Sequence, residues 1–286
     1  MDGKSKEVFD GFRKKYDVEG SIADMTPTVC DLFGVPYPAE CEALSTAGVV
    51  DQAFRIMGGE GKTQKGVLFC ADALGEVQRL HYTKEFEAIE KVAGFRIPCS
   101  CVMPSVTPVC YGSIFSGAAP IVHGIEKYEK PVLQVETLFD VFPRAGKNVA
   151  VISVNNCSID CIFRQRNVDY YSFRTDEQSF QFGCKLIAEN ADYDLIVLYM
   201  TGYDSKMHHH GIFSPEADEQ ARLASERFVT LAKEMDTYWK EYNRVLAFIP
   251  DHGCHDCDET HGGHGSSMPD DMVVNHYYRL MEGKKE

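Results

Sequence analysis

The chain's 286 residues, 44% hydrophobic and 25% charged, are enough for a substantial core. The expectation is one domain over 1–286, with 1–64 as an N-terminal extension packed on it. A net charge of −14 argues against binding nucleic acid polymers or anionic membrane, because the field repels polyphosphate at long range, so a small anionic substrate needs local positive charge such as bound metal ions supply.

No stretch reaches the roughly 18 apolar residues of a membrane span, and the N-terminus has no apolar h-region. Eleven cysteines scattered through apolar runs and loops fit reduced thiols better than a disulfide framework. A cytoplasmic protein is the expectation.

In chain order, residues 5–17 read as an exposed helix. The run Thr26-Pro27-Thr28-Val29-Cys30-Asp31-Leu32-Phe33-Gly34 reads as a short helix with Thr26 as N-cap, Pro27 at its first position and Gly34 past its end. Residues 35–64 are turn-rich. The apolar run 66–71 reads as a buried strand ending in Asp72, and a helix follows over 83–93. Asp72 lies too far ahead to cap that helix, so its carboxylate is free for a site.

Residues 95–102 form another strand-like run. After it, Thr107 precedes Pro108 and opens a helix. Two readings stand side by side: the hydroxyl merely caps, or the helix N-terminus cradles a phosphoryl group that the hydroxyl attacks. Helix over 136–142, strand over 148–154, helix over 176–190 and strand over 194–200 alternate as βαβ units do. The implied fold is α/β, a mostly parallel central sheet sandwiched by helices.

The last of these strands runs into Asp204, followed by His208, His209 and His210. An Asp and a His four apart share a helical face and can hold one metal, but spacing alone does not choose among the three histidines. A long charged helix over 215–242 reads as a solvated outer layer. It delivers the chain to the apolar run 244–249, which stops at Pro250 and exposes Asp251 and His252 beyond a strand's carboxyl end, where open α/β sheets keep their sites. These two can turn toward one ion if the backbone bends at Gly253. Cys254 and Cys257 have the C-x2-C spacing of a zinc clip, but no second pair accompanies them.

Taken together, Met103-Pro104-Ser105-Val106-Thr107-Pro108 with Ser116-Gly117 and His123-Gly124-Ile125, then Asp204-x3-His208 with Gly211, then Asp251-His252-Gly253, then Gly263-His264-Gly265-Ser266 before Pro269-Asp270-Asp271-Met272, resemble the alkaline phosphatase superfamily. Within it they resemble the type I phosphodiesterase/nucleotide pyrophosphatase and phosphonoacetate hydrolase branch, over roughly residues 65–280. The resemblance selects His208 over its neighbours and His264 over His261. It implies one divalent ion held by Asp72, Asp251, His252 and the nucleophile Thr107, and a second by Asp204, His208 and His264. Zinc is the implied metal, with manganese also compatible with the ligand types.

Two cations about 4 Å apart would activate Thr107 and stabilise an in-line displacement through a phospho-threonine. The implied activity is hydrolysis of a small phosphodiester or phosphomonoester. Hydrolysis of a phosphonoacetate-like phosphonate, or a non-catalytic metal- or nucleotide-binding member, are the alternatives. Cys110 stands in the region where phosphodiesterase members carry an asparagine three residues past the nucleophile, and is the candidate for that substrate contact. Lys127 and Lys130 lie where phosphonoacetate hydrolases place carboxylate-binding lysines. The chain is short for a nucleotide pyrophosphatase, and Thr107 disfavours a sulfatase. The cysteine pair Cys254 and Cys257, with His261, reads as a loop covering the site.

Overall fold

A computed structural model describes residues 3–58 and 62–284. In chain order the strands are β1 (Gly20–Ser21), β2 (Lys65–Ala71), β3 (Phe95–Ser100), β4 (Val149–Val154), β5 (Asp169–Phe173), β6 (Leu195–Met200), β7 (Arg244–Phe248), β8 (His255–Asp256), β9 (Gly262–Gly263) and β10 (Val273–Met281). The helices are α1 (Lys4–Tyr16), α2 (Met25–Phe33), α3 (Ala47–Met57), α4 (Glu76–His81), α5 (Thr83–Ala93), α6 (Thr107–Ser116), α7 (Pro120–His123), α8 (Leu138–Arg144), α9 (Ser158–Ile162), α10 (Asp176–Ala188), α11 (Gly202–His210), α12 (Pro215–Tyr238) and α13 (Pro269–Met272).

Eight strands form one sheet in the order β1-β3-β10-β7-β2-β6-β4-β5, and β8 and β9 form a separate hairpin. Within the large sheet only β10 runs antiparallel to its neighbours, β3 and β7. The fold is therefore the α/β sandwich expected. Both sheet faces are apolar because the central strands alternate between two covered sides. Leu68, Cys70, Val197, Tyr199, Val245 and Ala247 face a core shared with α2, α6 and α8, whereas Phe69, Ile196, Leu198, Leu246 and Phe248 face one shared with α5 and α12.

This period of two continues past the strand ends. Asp72 follows Leu68 and Cys70 in parity, and Asp251 follows Val245, Ala247 and Ile249, so both carboxylates leave the sheet toward the α6 side. Strands β7, β2 and β6 are parallel neighbours, with Phe69 opposite Phe248 and Ala71 opposite Met200. Their carboxyl ends thus deliver Asp251, Asp72 and the start of α11 to one edge.

Several expectations are corrected. Helix α1 is docked, not exposed: Phe9 is fully buried. Helix α2 starts at Met25 behind a 3-10 turn capped by Ser21, so Thr26 is no N-cap and its hydroxyl donates instead to the Ile114 carbonyl at 2.6 Å. The turn-rich 35–64 stretch contains α3. Helix α12 is not merely a solvated layer, because Phe228, Leu231 and Met235 are fully buried. The N-terminal residues contribute β1 to the sheet edge and Phe9, Ile22 and Val29 to the core.

Candidate metal and phosphoryl site

The sequence candidates divide into seven that meet and three that do not. Asp72, Asp251 and His252 offer ligand atoms that lie within 4.8 Å of one another, and so do Asp204, His252 and His264. His252 Nε2 is 3.5 Å from Asp72 Oδ1 and 3.3 Å from Asp251 Oδ2. Asp204 Oδ1 is 3.3 Å from Nε2 of both His208 and His264. The rings of His252 and His264 stack at 3.9 Å, which makes the two groups adjoin. Thr107 Oγ1 lies 3.3 Å from His252 Nε2.

The position of Thr107 bears on the first of its two readings. Val106 occupies the N-cap and Thr107 is already the first helical residue, so capping is not its role. The anion cradle is also narrower than expected. Pro108 has no N–H, and the N–H groups of Val109 and Cys110 both donate to the Val106 carbonyl, at 3.0 and 2.9 Å.

The histidines are oriented from behind. His264 Nδ1 faces the Ser105 carbonyl at 2.9 Å, His208 Nδ1 the Gly262 carbonyl at 3.0 Å, and His252 Nδ1 the Gly253 carbonyl at 3.0 Å. Each Nδ1 carries the proton it donates, and each Nε2 turns toward the cluster. Two such Nε2 atoms, of His208 and His264, are 3.1 Å apart.

On the carboxylate side, Tyr199 donates its phenol hydrogen to Asp72 Oδ2, and the Ala73 N–H donates to Asp251 Oδ1 at 3.3 Å. Among the described residues, the remaining oxygens, Asp72 Oδ1, Asp251 Oδ2 and Asp204 Oδ1, are buried with no hydrogen-bond partner, Asp204 Oδ1 having beside it only the two imidazole Nε2 atoms 3.3 Å away. Buried acceptors of both kinds, converging without donors, are the donor set a divalent cation satisfies.

The electrostatics agree. Burial, then the charges of Asp251 and Asp204, push the Asp72 carboxyl well above the usual range. Burial and Asp204 push Asp251 up to about 7. Burial and His264 hold the His252 imidazole well below its ordinary value. Burial also opposes ionisation of Asp204, but His208 and His264 outweigh it and hold that carboxyl low.

Gly253 matters for a reason other than the one expected. Its backbone is not left-handed; a Cβ there would sit 2.0 Å from the Asp270 carbonyl oxygen and 3.3 Å from Gly75 Cα. The turn after His252 needs glycine for close approach.

Three candidates stand apart from the cluster. Cys110 is fully buried, its thiol against that of Cys101. Lys127 is exposed and pairs with Glu129 at 3.2 Å. Lys130 donates to the Asn156 carbonyl at 3.0 Å. The cysteine clip does not form a ligand group either: Cys254 is buried, accepting from Gln78 Nε2 at 3.2 Å, while Cys257 is exposed. Among the described residues, no cluster of three or more metal-ligating side chains includes either. The β8–β9 hairpin around them covers the site through the Gly262 carbonyl that holds His208.

Sequence reasoning missed Tyr199, Ser105 and Cys101, whose Sγ donates to the Asp251 carbonyl at 3.1 Å. In an apolar strand Tyr199 reads as core. Its shared parity with Asp72, on the neighbouring strand, was the available signal.

The comparisons with known proteins fit this geometry. Solved structures with the same fold include phosphonoacetate hydrolase from Sinorhizobium meliloti 1021 in complex with phosphonoacetate (TM-score 0.51, 19% identity, 68% of this chain and 59% of that one). They also include human ectonucleotide pyrophosphatase/phosphodiesterase 5 (0.53, 18%, 68% and 58%). A third is the C-terminal periplasmic domain of the phosphoethanolamine transferase EptC from Campylobacter jejuni (0.51, 14%, 76% and 80%). The chain spans under three-fifths of the length of the first two. No curated protein matches it. The family model described as type I phosphodiesterase / nucleotide pyrophosphatase matches residues 69–282, a stretch that begins in β2, ends just past β10 and contains the whole cluster. The chain belongs to the type I phosphodiesterase/nucleotide pyrophosphatase family, within the alkaline phosphatase superfamily.

Proposed function

We propose that the chain is a binuclear metal-dependent phosphoesterase that hydrolyses a small phosphodiester or phosphomonoester through a phospho-threonine on Thr107. The observation that carries this is the convergence of three partnerless carboxylate oxygens and three inward Nε2 atoms beside the Thr107 hydroxyl. Asp72, Asp251, His252 and Thr107 would hold one divalent ion, and Asp204, His208 and His264 the other. The nitrogen and carboxylate donors suit zinc, and manganese next. Bound there, the ions would supply charge neutralisation of the phosphoryl oxygens and a lowered pKa for the bound hydroxyl.

The chain's own residues do the rest. Thr107 Oγ1 attacks phosphorus in line, forming the threonine ester as the bond to the leaving oxygen breaks and that oxygen takes a proton. Water then attacks the same phosphorus, restoring the Thr107 hydroxyl and releasing phosphate or its monoester. Tyr199 holds Asp72, and Ser105, Gly253 and Gly262 hold the imidazoles, so the ligand geometry exists before substrate arrives.

Cys110 is too deeply buried to serve as the asparagine's substitute, which leaves a non-bridging oxygen to the backbone N–H of Thr107 and to the ions. Lys127 and Lys130 would serve only a substrate with a second anionic group. Phosphonate hydrolysis is the second reading, favoured by the fold shared with a phosphonoacetate-bound enzyme. A panel of an aryl phosphodiester, an aryl phosphomonoester and phosphonoacetate, assayed with Zn²⁺ and with Mn²⁺, separates these. No turnover with any of them would favour a non-catalytic binder. With the best substrate, Thr107→Ala should lower kcat at least about 10³-fold while the ion content stays at the wild-type level. Retained hydrolysis in that variant would sink the nucleophile assignment.

A further inference from the structure

The string Pro269-Asp270-Asp271-Met272 marks the family resemblance, yet no residue in it belongs to the ligand set. Asp271 is fully buried and differs from Asp72, Asp204 and Asp251 in one respect: both of its carboxylate oxygens are already taken. Oδ1 is 2.6 Å from His255 Nδ1, and Oδ2 accepts the Ser266 N–H at 2.8 Å. Its backbone carbonyl accepts the Gly253 N–H at 2.9 Å. A carboxylate with both oxygens turned to protein donors in this way is suited to orient other groups.

The segments it ties are the ones that carry ligands. Gly253 directly follows His252, and His255 lies three residues beyond it. Ser266 follows His264 by two residues and accepts the Ser105 hydroxyl at its carbonyl, 2.9 Å away. Ser105 in turn receives His264 Nδ1 at its own carbonyl and stands two residues before Thr107. One buried side chain therefore joins the turn that presents Asp251 and His252 to the loop that presents His264, and through Ser105 to the segment that opens α6.

We propose that Asp271, clamped by His255, is a positioning residue that fixes the His264 loop against the Asp251-His252 turn and so sets the affinity of the second ion. This rests on the binuclear reading above. The substitution Asp271→Asn keeps the shape but offers one acceptor oxygen for two donors. The backbone contact to Gly253 survives it, so the loss falls on the His264 side.

The test is a competition titration of Zn²⁺ against a chromophoric chelator on the full chain, resolving two binding events, with Co²⁺ substitution giving an absorption spectrum for each. Asp271→Asn should weaken one of the two ions by about 10- to 100-fold, the usual scale for losing a ligand-orienting partner. It should change that ion's Co²⁺ spectrum and leave the other ion within a factor of about three of wild type, about 0.7 kcal/mol. His255→Ala should weaken the same ion by less, and His255→Gln, which still donates to Asp271, should restore it.

Equal affinities for both ions in wild type and Asp271→Asn, or an equal loss at both, would overturn the positioning role, because a merely structural residue lowers stability without choosing between ions. If Asp271→Asn does not fold, the His255→Ala titration decides alone, with an unchanged second ion overturning the proposal. A wild-type chain that binds no ion overturns the binuclear reading itself and this inference with it.

Discussion

At the scale of single residues, the site is a set of acceptors held from behind. Tyr199 shows the logic. Its phenol satisfies Asp72 Oδ2 in a fully buried setting, which frees Oδ1 to face the cluster. Tyr199→Phe should therefore cost the ion-loaded protein about 1–3 kcal/mol of unfolding free energy in urea, the price of one buried acceptor without its donor. A change below about 0.5 kcal/mol would mean that the contact orients nothing.

Single residues also show where sequence reading stopped. Asp72, Thr107, Asp204, Asp251 and His252 were legible because each follows or opens an element with a clear pattern. The family motif then chose His208 and His264, which spacing could not. Tyr199 and Asp271 were not legible as site residues, since their partners are 127 residues away for Tyr199 and, for Asp271, in a hairpin whose pairing only the folded chain defines.

At the scale of elements, the ends of three parallel strands lead to Asp72, to Asp251 and His252, and to α11 with Asp204 and His208, while α6 opens with Thr107 and the loop after β9 brings in His264. The apolar runs that became β2, β4, β6 and β7 were plain from length and pattern. Strand β10 was missed because Asn275, His276 and Arg279 interrupt its apolar pattern. Asn275 and His276 are nevertheless satisfied, Asn275 by Glu76 at 2.6 Å and His276 by the Pro250 carbonyl at 3.0 Å. Strand β5 was missed because an edge strand of half-buried residues gives little alternation.

The turn between β7 and β8 makes the sharpest element-level prediction. Because a Cβ at Gly253 would meet the Asp270 carbonyl, Gly253→Ala must push α13 away from the Asp251-His252 turn. The expected cost is about 1–3 kcal/mol, as for other overpacked interiors. Urea unfolding measures it, and a variant as stable as wild type would show that the two backbones separate freely.

At the scale of the whole molecule, the net charge is −14, so under the proposed function an anionic substrate would depend on the ions for its attraction. Stability also carries a signature of buried neutral imidazoles. Burial holds both His123 and His276 down at about 4, against weaker opposition from backbone carbonyls. An unfolded histidine titrates near 6.5, so unfolding takes up a proton at each between about pH 6.5 and 4. Their stabilising contribution is full above that window and is lost as pH falls through it. Replacing His276 by Gln, which keeps a donor for the Pro250 carbonyl, should make the variant gain on wild type by up to about 1.4 kcal/mol per pH unit on going from 6.5 to 4. A constant difference in urea midpoints across that range would contradict the assignment.

The central claim is that two groups of side chains, adjoining at His252 and His264, hold two divalent ions. Elemental analysis of the purified chain, loaded with Zn²⁺ and freed of excess, tests it most directly beside Asp251→Asn and His264→Ala. The account predicts two ions per chain in wild type and fewer than two in each variant. A count of two that survives both substitutions, or a wild-type chain that retains none, would contradict it.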